Sequence, residues 1–170
     1  MMKKVLFCLA LAGMLLLASQ AAFAASDITV TVTLQQLGVS VTPTSWSIGT
    51  LAALASKSTW VSSNPGNFTA TNTGNVAQNI AIATSGTTPS GWTASLSAPG
   101  TNVYTLGYGK AVSPFTTEPT YTLFTSSGAL ASSVAAAGTV RFDLKFTAPA
   151  GNSTVSPLET LTVSLSATAS

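Results

Sequence analysis

Residues Gly138–Ser170 read GTVRFDLKFTAPAGNSTVSPLETLTVSLSATAS and contain two runs in which apolar and polar side chains alternate. The apolar positions are Val140, Phe142, Leu144 and Phe146 in the first run and Leu161, Val163, Leu165 and Ala167 in the second. A period of two places each set on one face of a strand. The residues between the runs favour turns. The stretch therefore predicts an antiparallel pair of strands with one buried face and one wet face, as in a β-sandwich or barrel.

The first residues are typical of a secretory signal peptide. Lys3 and Lys4 precede an apolar run, and Ala22-Phe23-Ala24 is a small-x-small cleavage pattern. The alternative is a membrane anchor, but the run of about 14 residues is shorter than the roughly 20 that span a bilayer. Residues 1–24 are therefore predicted to be removed, and the protein is predicted to be exported to the periplasm, the cell surface or the medium. Cys8 lies inside this segment and is interpreted as a filler residue.

The predicted mature chain, residues 25–170, contains no histidine and no cysteine. It therefore has no disulfide and no thiolate or imidazole metal ligand, and no metal or cofactor is predicted. Its charged residues are Lys57, Lys110, Arg141 and Lys145 against Asp27, Glu118, Asp143 and Glu159, so four minus four leaves a net charge of zero. A neutral surface argues against nucleic acid as a partner and offers little repulsion against self-association.

Short runs with a period of two recur along the chain, separated by turns rich in Gly, Pro, Asn and Ser. The further predicted strands are 27–34, 39–41, 45–49, 57–62, 68–72, 76–84, 92–96, 103–109 and 121–124. Residues 51–56 and 126–137 are predicted to be loops, the latter with at most one helical turn, and Gly74 is expected to use positive φ in a turn at 73–75. The pattern predicts an all-β fold, an immunoglobulin-like antiparallel β-sandwich of about eight to ten strands in one domain over 25–170. The predicted core comprises Phe68, Ile80, Ile82, Val140, Phe142, Leu144, Phe146, Leu161, Val163 and Leu165.

The stretch Asn67–Asn75, NFTATNTGN, follows Trp46 and a short apolar piece that ends in Gly49. It resembles the x-F-x-x-x-N-T-G signature of immunoglobulin-like accessory domains, such as the abnormal-spindle/Hydin type and the bacterial choice-of-anchor surface domains. The resemblance implies a sandwich fold and an extracellular or scaffolding role, without an activity. The chain departs from the choice-of-anchor proteins because it shows no LPxTG-like sorting motif and no apolar tail.

A second resemblance, in layout alone, is to secreted fibre subunits of the TasA/camelysin type. Those subunits are sandwiches whose mature N-terminal segment can pair with a neighbouring copy. Residues Asp27–Leu34 occupy the corresponding place in this chain.

Few residues are suited to catalysis, since nucleophile activation without His or Cys needs a lysine or a pair of carboxylates. The four acids are expected to be solvated surface charges, and no enzymatic activity is predicted. The aromatic residues leave a sugar-binding platform open, because Trp and Tyr offer flat amphipathic surfaces. Trp46 and Trp92 are assigned to the core, whereas Trp60 is kept as a candidate glycan contact.

The segment Asp27–Leu34, DITVTVTL, is the candidate self-association strand. Its apolar face consists of Ile28, Val30, Val32 and Leu34. Such a strand near a terminus can add to a sheet edge of another copy, and a head-to-tail repeat of that contact builds a filament. The alternative is that it is the first strand of its own sandwich. The resulting hypothesis is a structural or adhesive protein of a prokaryotic cell surface or matrix, with itself, another surface protein or a polysaccharide as partner; the alternative is a small carbohydrate-binding module.

Overall fold

The computed structural model of the protein describes residues 31–60, 68–84, 91–111, 117–151 and 160–170. The chain divides into two compact units, Met1–Thr33 and Leu34–Ser170. The first unit is described only at residues 31–33. The predicted signal peptide, Ile28 and Val30 lie outside the described residues, as do Asp27 and Glu159.

The second unit is built from strands, and the described residues include no helix. The strands are β1 (Val39–Thr42), β2 (Ser56–Ser58), β3 (Phe68–Asn72), β4 (Gln78–Thr84), β5 (Thr93–Ala94), β6 (Val103–Lys110), β7 (Thr122–Leu123), β8 (Gly128–Val134), β9 (Thr139–Thr147) and β10 (Val163–Ala169). They form two sheets that pack against each other, which confirms the predicted all-β sandwich.

The larger sheet has β9 at its centre. One edge of β9 pairs with β3 through residues 139–142 and with β2 through residues 145–147, and β1 pairs with the far side of β3. The other edge of β9 pairs with β6, which in turn carries the short strands β5 and β7. All of these pairings are antiparallel except that of β5 with β6.

The smaller sheet has the order β10-β4-β8, and both of its pairings are antiparallel. Because β3 and β4 lie in different sheets, the turn at 73–77 crosses from one sheet to the other. The turn at 135–138 does the same between β8 and β9. Such crossings are typical of sandwiches, in which consecutive strands contribute to one core from both sides.

The core lies between the sheets and follows the period-two pattern. Its buried members are Phe68 and Ala70 of β3, Ile80 and Ile82 of β4, Tyr104, Leu106 and Tyr108 of β6, Leu130 and Val134 of β8, Phe142, Leu144 and Phe146 of β9, and the loop residues Phe124 and Ala148. Val140, Leu161, Val163 and Leu165 are partly buried against this cluster. Every residue of the predicted core therefore contributes to the core.

The predicted pairing of the two C-terminal strands is wrong. β9 and β10 are both present, but β9 belongs to the larger sheet and β10 pairs with β4 in the smaller one. Alternation identifies a strand and its buried face, but it does not identify the neighbour. Two strands that bury their apolar faces against each other across a sandwich have the same pattern as two strands side by side.

The predicted loop at 126–137 is also wrong in its main part, because residues 128–134 form β8. Ala and Ser dominate this strand, and both have less strand preference than branched residues. The register of β8 against β4 shifts near Ile80, and Ser133 has a φ of 50°. Between its buried residues Leu130 and Val134, the position of the same parity is the exposed Ser132, so the strand shows no continuous apolar row.

Other strands are shorter than predicted. Residues 45–49 form no strand, although Trp46 and Ile48 pack against the core, and β2 ends before Trp60. Residues 31–34 form no strand either. The described part of the 27–34 segment is therefore outside both sheets.

Candidate functional site

A cavity of about 890 Å³ opens between the two sheets. One wall is the inner face of β9, where Phe142, Leu144 and Phe146 line it, and the opposite wall is formed by Leu161, Val163 and Leu165 in and before β10. We call this cavity and its lining the inter-sheet cleft. Its volume falls in the range of ordinary ligand sites, and its walls are mainly apolar.

The apolar residues of the smaller sheet are not equally buried. In the middle strand β4, Ile80 and Ile82 are 1% and 0% exposed. The apolar residues of β10 and the segment before it face the same core but are only partly buried. Among the described residues, the apolar side chains of β4 are therefore more deeply buried than those of β10 and the segment before it. Covering such partly exposed apolar surface with a further apolar group lowers the free energy.

A loop from Pro43 to Leu51 forms one rim of the cleft and brings Trp46 and Ile48 to it. Lys57 holds this loop, because its Nζ donates a 2.6 Å hydrogen bond to the carbonyl oxygen of Ile48. The segment that follows is fastened to the end of β9, where the Leu54 amide donates to the Pro149 carbonyl at 3.1 Å. These two bonds to backbone carbonyl oxygens hold the rim without any contribution from the aromatic side chains.

Aromatic rings form the inner corner of the cleft. Trp92 stacks on Phe146 with 6.4 Å between ring centroids, and Phe146 stacks on Tyr104 at 5.5 Å. Trp92 and Phe146 line the cleft, whereas Tyr104 lies behind them and is fully buried. Trp46 and Trp92 were predicted to be core residues, and both pack against the core cluster. Neither lies in a strand, although the sequence predicted strands at 45–49 and 92–96.

The described part of the candidate self-association strand is exposed. Val32 and Leu34 are 75% and 78% exposed, whereas residues with this alternation are normally half-buried in a sheet. Ile28 and Val30 lie outside the described residues. Two members of the apolar face predicted for 27–34 are therefore exposed.

The chain just after this segment is anchored at the turn between β3 and β4. Asn75 Nδ2 donates to the Leu34 carbonyl at 2.7 Å, and Asn75 Oδ1 accepts from the Gln36 amide at 2.8 Å. The Asn75 amide in turn donates to the Gln36 carbonyl at 3.2 Å. Leu34 is thus tied to one end of the sandwich by an asparagine that the sequence presented only as part of a turn.

A buried pair of amide side chains supports the same turn. Asn72 and Gln78 are 1% and 0% exposed, and Gln78 Nε2 donates to Asn72 Oδ1 and to the Gly38 carbonyl. Asn72 Nδ2 donates to the carbonyls of Val76 and Val134, both at 2.8 Å. Because buried amides are costly unless hydrogen-bonded, this network specifies one arrangement of the turn. It explains why an Asn stands at the end of β3.

The four acids do not behave as one group. Asp143 is 0% exposed and accepts a 2.8 Å hydrogen bond from the Thr59 hydroxyl, so its prediction as a solvated charge is wrong. Thr59 lies beside β9, because its amide donates to the Leu144 carbonyl directly after the pairing of β2 with β9. Glu118 is exposed, and its carboxylate lies 3.7 Å from Lys145 Nζ. These two described acids therefore differ sharply in environment. In the described ranges, no group of three His, Cys, Asp or Glu residues is placed to hold a metal ion.

Trp60, the candidate glycan contact, is partly buried and lies outside the cleft lining. Its indole Nε1 is buried and has no hydrogen-bond acceptor among the described residues. Its role stays a prediction.

Comparison with protein families, curated proteins and solved structures finds no match in any of the three. The resemblances to accessory domains and to fibre subunits therefore stay predictions. Within the part of the chain that the structure describes, no helix has the length and apolar character needed to cross a bilayer.

Proposed function

We propose that the protein is a non-enzymatic structural component of a cell surface or extracellular matrix, and that its copies associate by donating the strand 27–34. The observation that carries this proposal is the exposure of Val32 and Leu34, 75% and 78%, two members of an alternating apolar row. Export fits the lysine-led apolar start of the sequence and its Ala22-Phe23-Ala24 pattern.

The physical basis of the association is the strand pattern of the segment. A strand that joins another sheet forms a row of backbone hydrogen bonds and buries every second side chain. In DITVTVTL the buried set would be Ile28, Val30, Val32 and Leu34, and the threonines would remain in water. The scarcity of charge also supports association, because a net charge of zero on residues 25–170 gives little repulsion between copies.

The proposal is tested by negative-stain electron microscopy of the purified protein beside the double variant Val32→Ser/Leu34→Ser. Both side chains are exposed, so the variant should fold with an unchanged melting temperature. The expected result is ordered assemblies for the natural sequence and separate particles for the variant. A matched control, Thr31→Ser/Thr33→Ser, changes the other face and should still assemble. Monomers from the natural sequence under all conditions would contradict the proposal.

A carbohydrate-binding module is the second candidate, and one observation favours it. Two tryptophans, Trp46 and Trp92, line the cleft together with hydroxyl-bearing residues of the rim such as Thr44 and Ser47. Sugar rings stack on tryptophan and hydrogen-bond to hydroxyls. Polysaccharide pull-down with Trp46→Ala and Trp60→Ala would separate the two suggested platforms. Binding lost only in the first would assign the cleft to sugar, and binding lost only in the second would assign it to the surface at Trp60.

A further inference from the structure

We propose that Asn75 is a positioning residue for association between copies. Its side chain holds the backbone of Leu34, the last residue of the segment 27–34, so that this end of the segment is fixed before it meets another copy. The inference rests on the proposed function and names the residue that prepares the donor. Asn75 acts in the copy that donates the segment.

The backbone pairing between β1 and β3 continues beyond the ends of both strands. Within the strands, Val39 lies opposite Asn72. Beyond them, the Asn75 amide donates to the Gln36 carbonyl at 3.2 Å, three residues further along each chain in opposite directions. This is the register of an antiparallel ladder, so the chain at Gln36 still follows the path of β1 beside the turn that leads to β4.

The side chain of Asn75 completes this ladder where its backbone turns toward the smaller sheet. A regular hydrogen-bonded pair exchanges two N–H···O bonds, but here the Gln36 amide donates to Asn75 Oδ1 at 2.8 Å. In the same register, the next bond to the Leu34 carbonyl would come from the Ala77 amide. Asn75 Nδ2 supplies a bond to that carbonyl at 2.7 Å. The side-chain amide thus replaces one acceptor and one donor of a regular strand.

Holding this end of the segment lowers the entropy cost of donation. Any freedom of the backbone is lost when a segment pairs with another chain, and a peptide group that is already held loses less. Leu34 is a member of the apolar row and is mostly exposed. The group that Asn75 holds is therefore one that the proposed contact uses.

Asn75 can be changed without disturbing the residues that support the turn. Its own position is exposed, whereas Asn72 and Gln78, which hydrogen-bond to each other beneath the turn, are buried. Loss of the bond to Leu34 therefore leaves the buried amide network intact. A substitution at Asn75 tests the positioning of the segment separately from the stability of the sandwich.

The test compares Asn75→Asp with the matched control Asn79→Asp in the full chain at neutral pH. Asn75→Asp keeps the acceptor oxygen but replaces the donor to the Leu34 carbonyl with a carboxylate oxygen. Asn79 makes the same two kinds of bond within the smaller sheet. Its Nδ2 donates to the Ala169 carbonyl at 3.3 Å, and its Oδ1 accepts from the Ser133 amide at 3.0 Å. The control therefore adds the same charge and loses the same kind of bond.

Two measurements separate the donor from the acceptor. Sedimentation velocity over a range of concentrations measures association between copies, and melting temperatures verify folding. Binding of a DITVTVTL peptide to the Val32→Ser/Leu34→Ser protein, with and without Asn75→Asp, measures the acceptor alone. The free peptide is not held by Asn75, so a residue that prepares only the donor should leave the peptide affinity unchanged.

The expected result is association about tenfold weaker for Asn75→Asp than for the natural sequence, which corresponds to ordering roughly one further residue. Asn79→Asp should associate like the natural sequence, and the peptide affinities should be equal. If Asn75→Asp associates as strongly as Asn79→Asp, the role of Asn75 is overturned and strand donation stands. A parallel loss of peptide affinity would also overturn it, because the residue would then act on the acceptor. If the natural sequence associates at no concentration, this inference and the proposed function both fail.

Discussion

The Thr59 hydroxyl donates a 2.8 Å hydrogen bond to the carboxylate of Asp143, and both residues are buried on the outer face of the larger sheet. Thr59 is held there by two further bonds, because its amide donates to the Leu144 carbonyl at 2.8 Å and its hydroxyl accepts from the Leu144 amide at 2.9 Å. The segment after β2 is thereby fastened beside the acid in the middle of β9. The face that alternation assigned to water is covered at this point.

Replacing Thr59 by Val should lower the free energy of unfolding by about 1.5–3 kcal/mol, because the variant keeps the shape but removes a hydrogen bond to a buried charged group. Thr59→Ser keeps the hydroxyl and should lose clearly less. Chemical denaturation of the three proteins measures the difference. Equal stabilities for Val and Ser at this position would show that the hydroxyl contributes nothing.

The two buried tyrosines of β6 should respond differently to loss of the hydroxyl. Tyr108 donates a 3.0 Å hydrogen bond to the Ala129 carbonyl across the sandwich, so Tyr108→Phe should cost about 0.5–1.5 kcal/mol. The Tyr104 hydroxyl is buried and has no hydrogen-bond partner among the described residues. Tyr104→Phe should therefore leave stability unchanged or raise it. Thermal unfolding of both variants checks the contrast, which the opposite ranking would refute.

Stability should fall at alkaline pH as the tyrosines ionise. Burial raises the pKa of Tyr104, and burial followed by the negative charges of Glu118 and Asp143 raises the pKa of Tyr121 to about 12, partly offset by Ser58. A raised pKa in the folded state means that the folded protein holds these protons more tightly than the unfolded chain, whose tyrosines titrate near pH 10. This contribution is complete below about pH 10 and is lost as pH rises toward 12.

The measurement for this prediction is tyrosinate absorbance during an alkaline titration, run together with melting temperatures. Part of the absorbance change should be delayed beyond pH 10, and the melting temperature should decline over the same range. Ionisation of all three tyrosines near pH 10 in the folded protein would contradict it.

Gly74 should be sensitive to any added side chain for a steric reason, and not because of the positive φ that the sequence predicts. Its φ is not positive; instead, an added Cβ would overlap the carbonyl oxygen of Gln36, which packs against this turn. Gly74→Ala should therefore destabilise the fold by about 1–3 kcal/mol. Gly151→Ala is the matched control, because nothing lies within 4 Å of the added Cβ there. Equal melting temperatures for the two variants would show that the turn yields without cost.

Phe142 is expected to be among the most sensitive positions of the core. It is 1% exposed and stacks on Phe68 with 5.4 Å between centroids, and it also lines the cleft. Phe142→Ala should cost about 3–5 kcal/mol through lost burial and the cavity that remains. A melting temperature equal to that of the natural sequence would be incompatible with this packing.

The sequence predicts strands best where alternation is regular. β3 matches its prediction at both ends, and β4, β6 and β9 match closely, because branched and aromatic residues mark one face throughout. β8 was missed because Ala, Gly and Ser carry little pattern and a register shift interrupts it. Which strands become neighbours depends on contacts between distant residues, so the separation of β9 and β10 into different sheets had no local signal.

The same limit applies to the candidate site. The alternating segment 27–34 is visible in the sequence, since its pattern is local. The cleft is not visible, because its lining comes from a loop near Trp46, from Trp92, from β9 and from β10, which only the fold brings together. The burial of Asp143 likewise depends on a segment more than eighty residues away in the chain, as the separation of 84 between it and Thr59 illustrates.

The most direct test of strand donation is sedimentation velocity over a range of protein concentrations, comparing the natural sequence with the variant Ile28→Ser/Val30→Ser/Val32→Ser/Leu34→Ser. The account predicts a sedimentation coefficient that rises with concentration for the natural sequence and stays at the monomer value for the variant, with equal melting temperatures. If the variant associates as strongly as the natural sequence, or if neither associates, the strand 27–34 is not the link between copies.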